Sequence, residues 1–430
     1  MAQFLTRQSI GLILLIISLV AFMVGLGHPN VLVFDETHYV PAARAILDLS
    51  RNTNPEHPLV AKEFIAAGIA LFGDNPFGWR FFGALLTALS VYAVYQIALN
   101  LLKDAALAAM ASIFLSLSFT VTIQARTAML DSYAFPLMIL SAAFFISSAH
   151  RAIPKFLVTT GLVVAGIFLG LAAGAKWITG IYAMLALFGL FLARLFKTMS
   201  TGRPLMHALW GRDYPSWQSV SFFYAALVLG ITSLFVYFLT FAPALFWKEN
   251  PLSVFDIFSF QFVMLDRQTM PLAENSYESE WWEWPLMLEP IWYHFESVEN
   301  GGHEAILYVG NPFIFWGGLI AVLVCLVQGV RNQNGVAFGT ALAFLASWLI
   351  FAVLPKQIGF FFYYHGSGIL LCFAFAVALS LIPKGKIRWG IYGVSMLAAL
   401  AVFAFFFPVI YAIEMPREQW TNYLWLPNWN

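Results

Sequence analysis

Residues 156–175 read FLVTTGLVVAGIFLGLAAGA, Lys176-Trp177 follows at once, and a second apolar run continues to residue 196. The first run carries no charge, and about 20 such residues at about 1.5 Å rise cross a hydrocarbon core of about 30 Å. Two membrane helices joined by almost no loop are therefore expected. Working outward, comparable runs lie at about 8–28, 79–101, 105–123, 132–149, 219–245, 309–330, 336–354, 362–382 and 389–413. The composition agrees: of 430 residues, 61% are hydrophobic and 10% charged, against about 25% charged in an ordinary soluble domain. The expected fold class is an all-α integral membrane bundle of about eleven transmembrane helices, read as one domain over 1–430. A soluble enzyme, a disordered chain and a disulfide scaffold are excluded. Cys325 and Cys372 sit inside apolar runs and offer neither a disulfide framework nor a thiolate metal site.

Alternate threading places Arg7, Lys103, Arg151, Lys155, Arg194, Lys197, Arg203, Arg212, Arg331, Lys384, Lys386 and Arg388 on the starting side, with Asp104 and Asp213 as its acids. The positive-inside rule then puts the N-terminus in the cytoplasm and the C-terminus outside. The first apolar segment lacks a small-x-small cleavage pattern and reads as retained. Two larger loops, 29–78 and 246–308, face outside. Within the first, Phe64 to Phe72 is too short to span and reads as an interfacial or re-entrant helix. No repeat of about 20 to 50 residues is visible.

The outer surface gathers the chemistry. Asp35 and Glu36 follow the first span, where apolar surroundings raise a carboxylate pKa and suit a general base. On a short helix their side chains diverge by about 100°, so that one activates a nucleophile and the other orients it; two solvated loop acids are the alternative. Asn54-Pro55-Glu56-His57-Pro58-Leu59-Val60-Ala61-Lys62 places His57 and Lys62 toward an anion such as phosphate, or as interface anchors. Gln124-Ala125-Arg126 and Leu130-Asp131 join two spans, and Arg126 either holds phosphate bidentately or pairs with Asp131 to close the hairpin.

Lys176 must snorkel, meet a carboxylate or face a polar cavity, and Gly170-x-x-x-Gly174 before it permits close helix approach. The second loop carries Ser279-Glu280-Trp281-Trp282-Glu283-Trp284-Pro285, aromatic faces with interleaved acids that suit carbohydrate or an interfacial belt. Gly310-Asn311-Pro312 and Tyr363-Tyr364-His365 read as caps and hydrogen-bonding groups or as parts of a site. There is no P-loop, His303-Glu304 lacks the second histidine of a zinc-protease helix, and the acidic outer face argues against nucleic acid.

In this order the motifs resemble the protein O-mannosyltransferase family, glycosyltransferase family 39 of the GT-C class. Its Asp-Glu pair is similar to Asp35-Glu36, and its His-Pro-Pro-Leu-Gly-Lys run to His57 through Lys62. Its Gln-x-Arg, Leu-Asp, Lys-Trp, Ser-x-Trp with Glu-Trp-Pro, Gly-Asn-Pro and Tyr-His elements resemble Gln124 to Arg126, Leu130-Asp131, Lys176-Trp177, Ser279 to Pro285, Gly310 to Pro312 and Tyr364-His365. The second proline and the glycine of the histidine motif are Leu59 and Ala61 here, and the usual tyrosine after His365 is Gly366. The second loop is too short for the MIR domain of eukaryotic relatives, so the resemblance is to a bacterial-type member.

The resemblance implies a GT-C-like bundle that takes a polyprenyl-phosphate sugar at the non-cytoplasmic face of a plasma membrane, the bacterial inner membrane being expected. It further implies inverting transfer of mannose or a related hexose to a hydroxyl such as protein Ser or Thr. Asp35 and Glu36 are then catalytic, and Arg126, Lys62 and His57 hold the donor phosphate. Asp131, Lys176, Trp177, Trp281, Trp282, Glu283, Trp284, Tyr364 and His365 are left for sugar or acceptor. No metal site and no cofactor are required, although a divalent ion between the external acids and phosphate is an alternative. A lipid or polysaccharide acceptor, a lipid transporter and a catalytically silent partner in an oligomer are the rival readings.

Overall fold

The computed structural model describes residues 2–149, 154–214, 220–270, 275–298, 301–354, 358–416 and 418–429, with side chains from residue 7 onward. Arg151 of the basic set lies outside the described residues. The chain opens with α1 (Ala2–Met23), followed by two short helices, α2 (Glu36–Leu47) and α3 (Val60–Phe72). Next come α4 (Pro76–Leu102), α5 (Ala105–Ser116), α6 (Phe119–Ala125), α7 (Asp131–Ala149), α8 (Lys155–Ala175) and α9 (Ile178–Ser200). A single turn, α10 (His207–Trp210), precedes α11 (Phe222–Leu239) and α12 (Asp256–Thr269). A hairpin of β1 (Ile291–Ser297) and β2 (Gly302–Tyr308) leads to α13 (Pro312–Arg331), α14 (Gly335–Leu349), α15 (His365–Ser380), α16 (Lys386–Ile410) and β3 (Met415–Pro416).

Every apolar run read from the sequence is helical, but the count of eleven crossings does not follow. Among the described residues nine helices are long and apolar enough to span, or ten if α5 and α6, bent by 65° at their junction, form one crossing. The described apolar part of α1, Arg7–Met23, is shorter. The breaks between helices have local causes. Asn75 caps α4 by accepting from Gly78 N, with Pro76 in the first turn, and α4 stops at Lys103, whose φ is 58°. Asp104 then accepts from Ala106 N and Leu107 N to start α5. Asn311 caps α13 and its amide donates to Leu117 O and Ala399 O, so the Gly-Asn-Pro motif ties three helices together.

Gly170 and Gly174 act as the small-residue pattern suggests. A Cβ on Gly170 would lie 2.5 Å from Ser233 O of α11, and one on Gly174 would lie 2.6 Å from a Val60 methyl. Side chains there would push α8 away from α11 and α3.

The sheet was not expected from the sequence. β1 and β2 pair antiparallel, β3 adds to β2 at Gly302 and His303, and the register slips between Trp292 and His294. Tyr293 is the extra residue at this bulge, which re-aims its ring. It stacks on Phe34 at 4.4 Å and on Tyr308 at 4.6 Å, pinning the hairpin against the chain just ahead of α2. In the second loop α12 exposes Phe258 and Phe262, and Phe255 is exposed at its N-cap.

Candidate active site

The ends of α1, α6, α8 and α11 and the starts of α2, α4, α7, α9, α13 and α15 meet on one side of the bundle, and the adjacent carboxylates lie there. Asp35 is the N-cap of α2, yet its side chain makes no capping bond. Instead it accepts from Tyr39 Oη at 3.3 Å. The preceding residue, Phe34, has φ of 46°, a backbone conformation costly for a bulky side chain and held by its stack on Tyr293. Burial pushes the Asp35 carboxyl above its ordinary value; His38, the Tyr39 bond and Lys176 pull it back, while Asp131 pushes it further up. Asp35 thus stands in the field of both Lys176 and Asp131, at a half-buried position.

Glu36 diverges from Asp35, as adjacent residues starting a helix must, and runs into the interior. Its carboxylate takes Arg80 Nε and Nη2, each at 2.8 Å, together with Val33 N at 3.0 Å and Ala128 N at 2.7 Å. Neither partner of this ion pair is exposed at all. Arg80 Nη1 and Nη2 also donate to Pro29 O and Val31 O. Glu36 is therefore consumed in holding the first loop to α4 and to the α6–α7 turn, which leaves it no free oxygen direction toward a sugar or acceptor. Arg80 was missed in the sequence. The signal was present, because a lone arginine in the first turns of an apolar helix demands a partner.

The three groups assigned to donor phosphate are placed differently from that expectation. Arg126 donates to Phe22 O, Val24 O and Gly25 O at 3.1, 2.6 and 2.9 Å and lies over the Tyr411 ring at 4.2 Å. It caps the last carbonyls of α1 and forms no pair with Asp131. Lys62 is buried and gives its ammonium to Asn54 O, Asn54 Oδ1 and His57 O at 2.7, 3.2 and 2.8 Å. Burial pulls it down to about 7, so Lys62 clamps the loop above α3. His57 is half-buried and meets the Tyr39 ring edge-on at 6.2 Å.

After His38, the cation whose field reaches Asp35 is Lys176. It leaves α8 at its C-cap in extended backbone and reaches Asp131, at the start of α7, with 2.7 and 2.8 Å to the two carboxylate oxygens. Asp131 is buried, while Lys176 keeps 14% of its side-chain surface. Phe362 and Tyr363 flank it at 5.2 and 5.4 Å. Trp177 turns away and donates to Tyr237 Oη at 2.7 Å.

The remaining candidates form walls. His365 is buried, with Nδ1 3.1 Å from Tyr308 Oη and Phe135 edge-on at 5.0 Å. Tyr364 is buried among Phe315, Phe344 and Phe361. Trp284 donates to Ser279 Oγ and packs on Tyr363, while Trp281 packs on Trp348. Glu283 accepts from Glu280 N within its own turn, and Trp282 is 54% exposed. Of the loop aromatics, Trp284 reaches the centre through Tyr363, and Trp282 is free to meet a ligand or lipid.

Two adjoining stretches match one sequence family. Residues 72–249 match the dolichyl-phosphate-mannose-protein mannosyltransferase region, and 253–429 match the C-terminal four-transmembrane region of protein O-mannosyltransferases. The chain belongs to the protein O-mannosyltransferase family. Across 92% of its length it is 27% identical to the polyprenol-phosphate-mannose–protein mannosyltransferase of Mycobacterium tuberculosis, covering 86% of that protein. The Corynebacterium glutamicum protein of the same name is 24% identical over 92% of this chain and 88% of its own. In fold, the chain resembles the S. cerevisiae protein O-mannosyltransferase Pmt1-Pmt2 complex bound to the sugar donor, with a TM-score of 0.82, 13% identity and coverage of 99% and 93%. ArnT from Cupriavidus metallidurans bound to undecaprenyl phosphate superposes with a TM-score of 0.55 at 17% identity, over 91% of this chain and 63% of that one. The mannosyltransferase family and these GT-C folds make the chain a membrane glycosyltransferase.

Proposed function

We propose that this protein transfers mannose from a polyprenyl-phosphate carrier to a serine or threonine hydroxyl of a polypeptide at the non-cytoplasmic membrane face. The observation that carries the reading is a half-buried Asp35 standing in the field of the Lys176–Asp131 ion pair. Asp35 accepts the proton of the acceptor hydroxyl, and its raised proton affinity makes it a stronger base than a solvated aspartate. The hydroxyl oxygen forms a bond to the sugar's anomeric carbon as the bond from that carbon to phosphate oxygen breaks. The electron pair leaves with the phosphate. Inversion follows from attack opposite the leaving group.

Lys176 supplies the positive charge for the departing phosphate, and Asp131 aims it. Arg126, Lys62 and Glu36 are positioning residues that fix α1, the 54–57 loop and the 26–36 segment around the site. The greasy carrier lies among the helices, so its phosphate arrives at the depth of the helix ends. Basic residues gathered at the other end of the bundle support a cytoplasmic N-terminus and an external site.

The test uses the purified chain, polyprenyl-phosphate mannose and a mixed pool of unstructured peptides and lipids, with and without chelator, and reads products by mass spectrometry. A hexose on peptide Ser or Thr, retained in chelator, is expected. A glycolipid product alone would assign the lipid acceptor of the rival reading, and no transfer to any acceptor would remove the enzyme assignment.

A further inference from the structure

The far end of α9 carries a second chemistry. α9 runs 23 residues from Ile178, beside Lys176, to Ser200, a rise of about 34 Å, so the 201–214 stretch lies at the opposite membrane face from Asp35. Its apolar side chains point outward: Leu205, Met206 and Trp210 are 61%, 59% and 51% exposed. At the depth where a helix leaves the bilayer, this is the surface of a loop that dips into the lipid interface.

A groove of about 440 Å³ opens in it, lined by Pro204, Met206, His207, Trp210, Gly211 and Arg212. Its charge balance is one-sided. Arg203 and His207 both bond Asp213, the acid of this loop, and spend its charge. Among the described residues Arg212 has no carboxylate partner. Beneath the groove lies a further cation: Arg194 is 3% exposed, donates to Ala208 O and Gly211 O at 3.1 and 2.8 Å, and lies 3.8 Å from the Tyr214 ring centroid. Its Nη1 is buried with no hydrogen-bond partner among the described residues, an arrangement that favours a nearby anion.

We infer that the 204–212 groove binds the headgroup of an anionic phospholipid, its phosphodiester beside Arg212 and above Arg194, its acyl chains running past Met206 and Trp210. Apolar and cationic groups side by side in one short stretch, residues 204–212, fit a ligand with a charged head and a greasy body. A free phosphate would leave the exposed Leu205, Met206 and Trp210 without purpose. This site is separate from the catalytic centre and does not rest on the transfer reaction.

The test incubates the purified full chain with vesicles of equal phosphatidylglycerol and phosphatidylcholine, then counts co-retained lipids by native mass spectrometry. Wild type is expected to retain phosphatidylglycerol preferentially. Arg212→Gln should lower that preference by about fivefold, about 1 kcal/mol for one cation at the surface, Arg212→Lys should keep it, and all three should melt together. Equal retention of the two lipids by wild type, or an unchanged preference in Arg212→Gln, overturns the proposal. Excess inorganic phosphate should not displace the lipid; displacement would assign the groove to free anions instead.

Discussion

Lys176 Nζ lies 2.7 and 2.8 Å from the two carboxylate oxygens of Asp131, bridging the end of α8 to the start of α7 beside Asp35. In the proposed mechanism this bond is tertiary structure and site chemistry at once. Because Asp131 is buried, removing one partner leaves the other charge uncompensated, at a cost of about 3–5 kcal/mol. Lys176→Met should therefore lose both folded yield and turnover. Lys176→Arg keeps the charge, so its yield in detergent should recover more than its turnover, because a planar guanidinium cannot reproduce a point charge between Asp131 and phosphate. Full turnover in Lys176→Met protein would end the phosphate role. Yield by size-exclusion and specific activity separate the two effects.

Asp35 is predicted to act through ionisation. Asp35→Asn should fold, since the side chain caps nothing and its one described hydrogen bond is to Tyr39, and should lose turnover by about 100-fold or more. Donor retention, measured by lipid co-purification, should stay near wild type. Equal loss of retention would make Asp35 a binding group.

The same residue is predicted to set the pH dependence. Its folded pKa is raised above 3.8, chiefly by burial. Between the ordinary and raised values the fold holds a proton that the unfolded chain has shed, so stability falls as pH rises through that window and is level above it. Turnover moves the opposite way, because the base must be ionised. Activity should fall as pH drops through the raised value, on a limb displaced upward from an ordinary aspartate, and this limb should vanish in the residual activity of Asp35→Asn. A limb at the ordinary position would place Asp35 in open solvent.

Much of this was legible because hydropathy and caps are local. The apolar runs, the small-residue contact at Gly170 and Gly174 and the cap at Asn311 each depend on a few neighbouring residues, and each is where the sequence puts it. The partners of the charges were not legible. Glu36 meets Arg80 across 44 positions and Asp131 meets Lys176 across 45, distances at which sequence carries no register. Arg126 reads from the sequence as a phosphate ligand or as a partner of Asp131, yet its guanidinium goes to the carbonyls at the end of α1, about 100 positions away. The hairpin escaped notice because Trp292-Tyr293-His294-Phe295 suits an interfacial belt as well as a strand. Its bulge, which sends Tyr293 onto Phe34, is a property of pairing with β2.

The buried Arg80–Glu36 pair offers the sharpest division between structure and chemistry. Both side chains are fully buried, and Glu36 also satisfies Val33 N and Ala128 N. Glu36→Ala strips Arg80 of its counter-charge and should cost about 3–5 kcal/mol, seen as lost folded yield. Glu36→Gln retains an acceptor and should be milder in yield. If Glu36 only positions the loop, the Glu36→Gln protein that does fold should keep Asp35's pH limb and lower turnover without shifting it. A limb displaced in Glu36→Gln, at unchanged melting temperature, would instead show that Glu36 exchanges protons with the reacting groups.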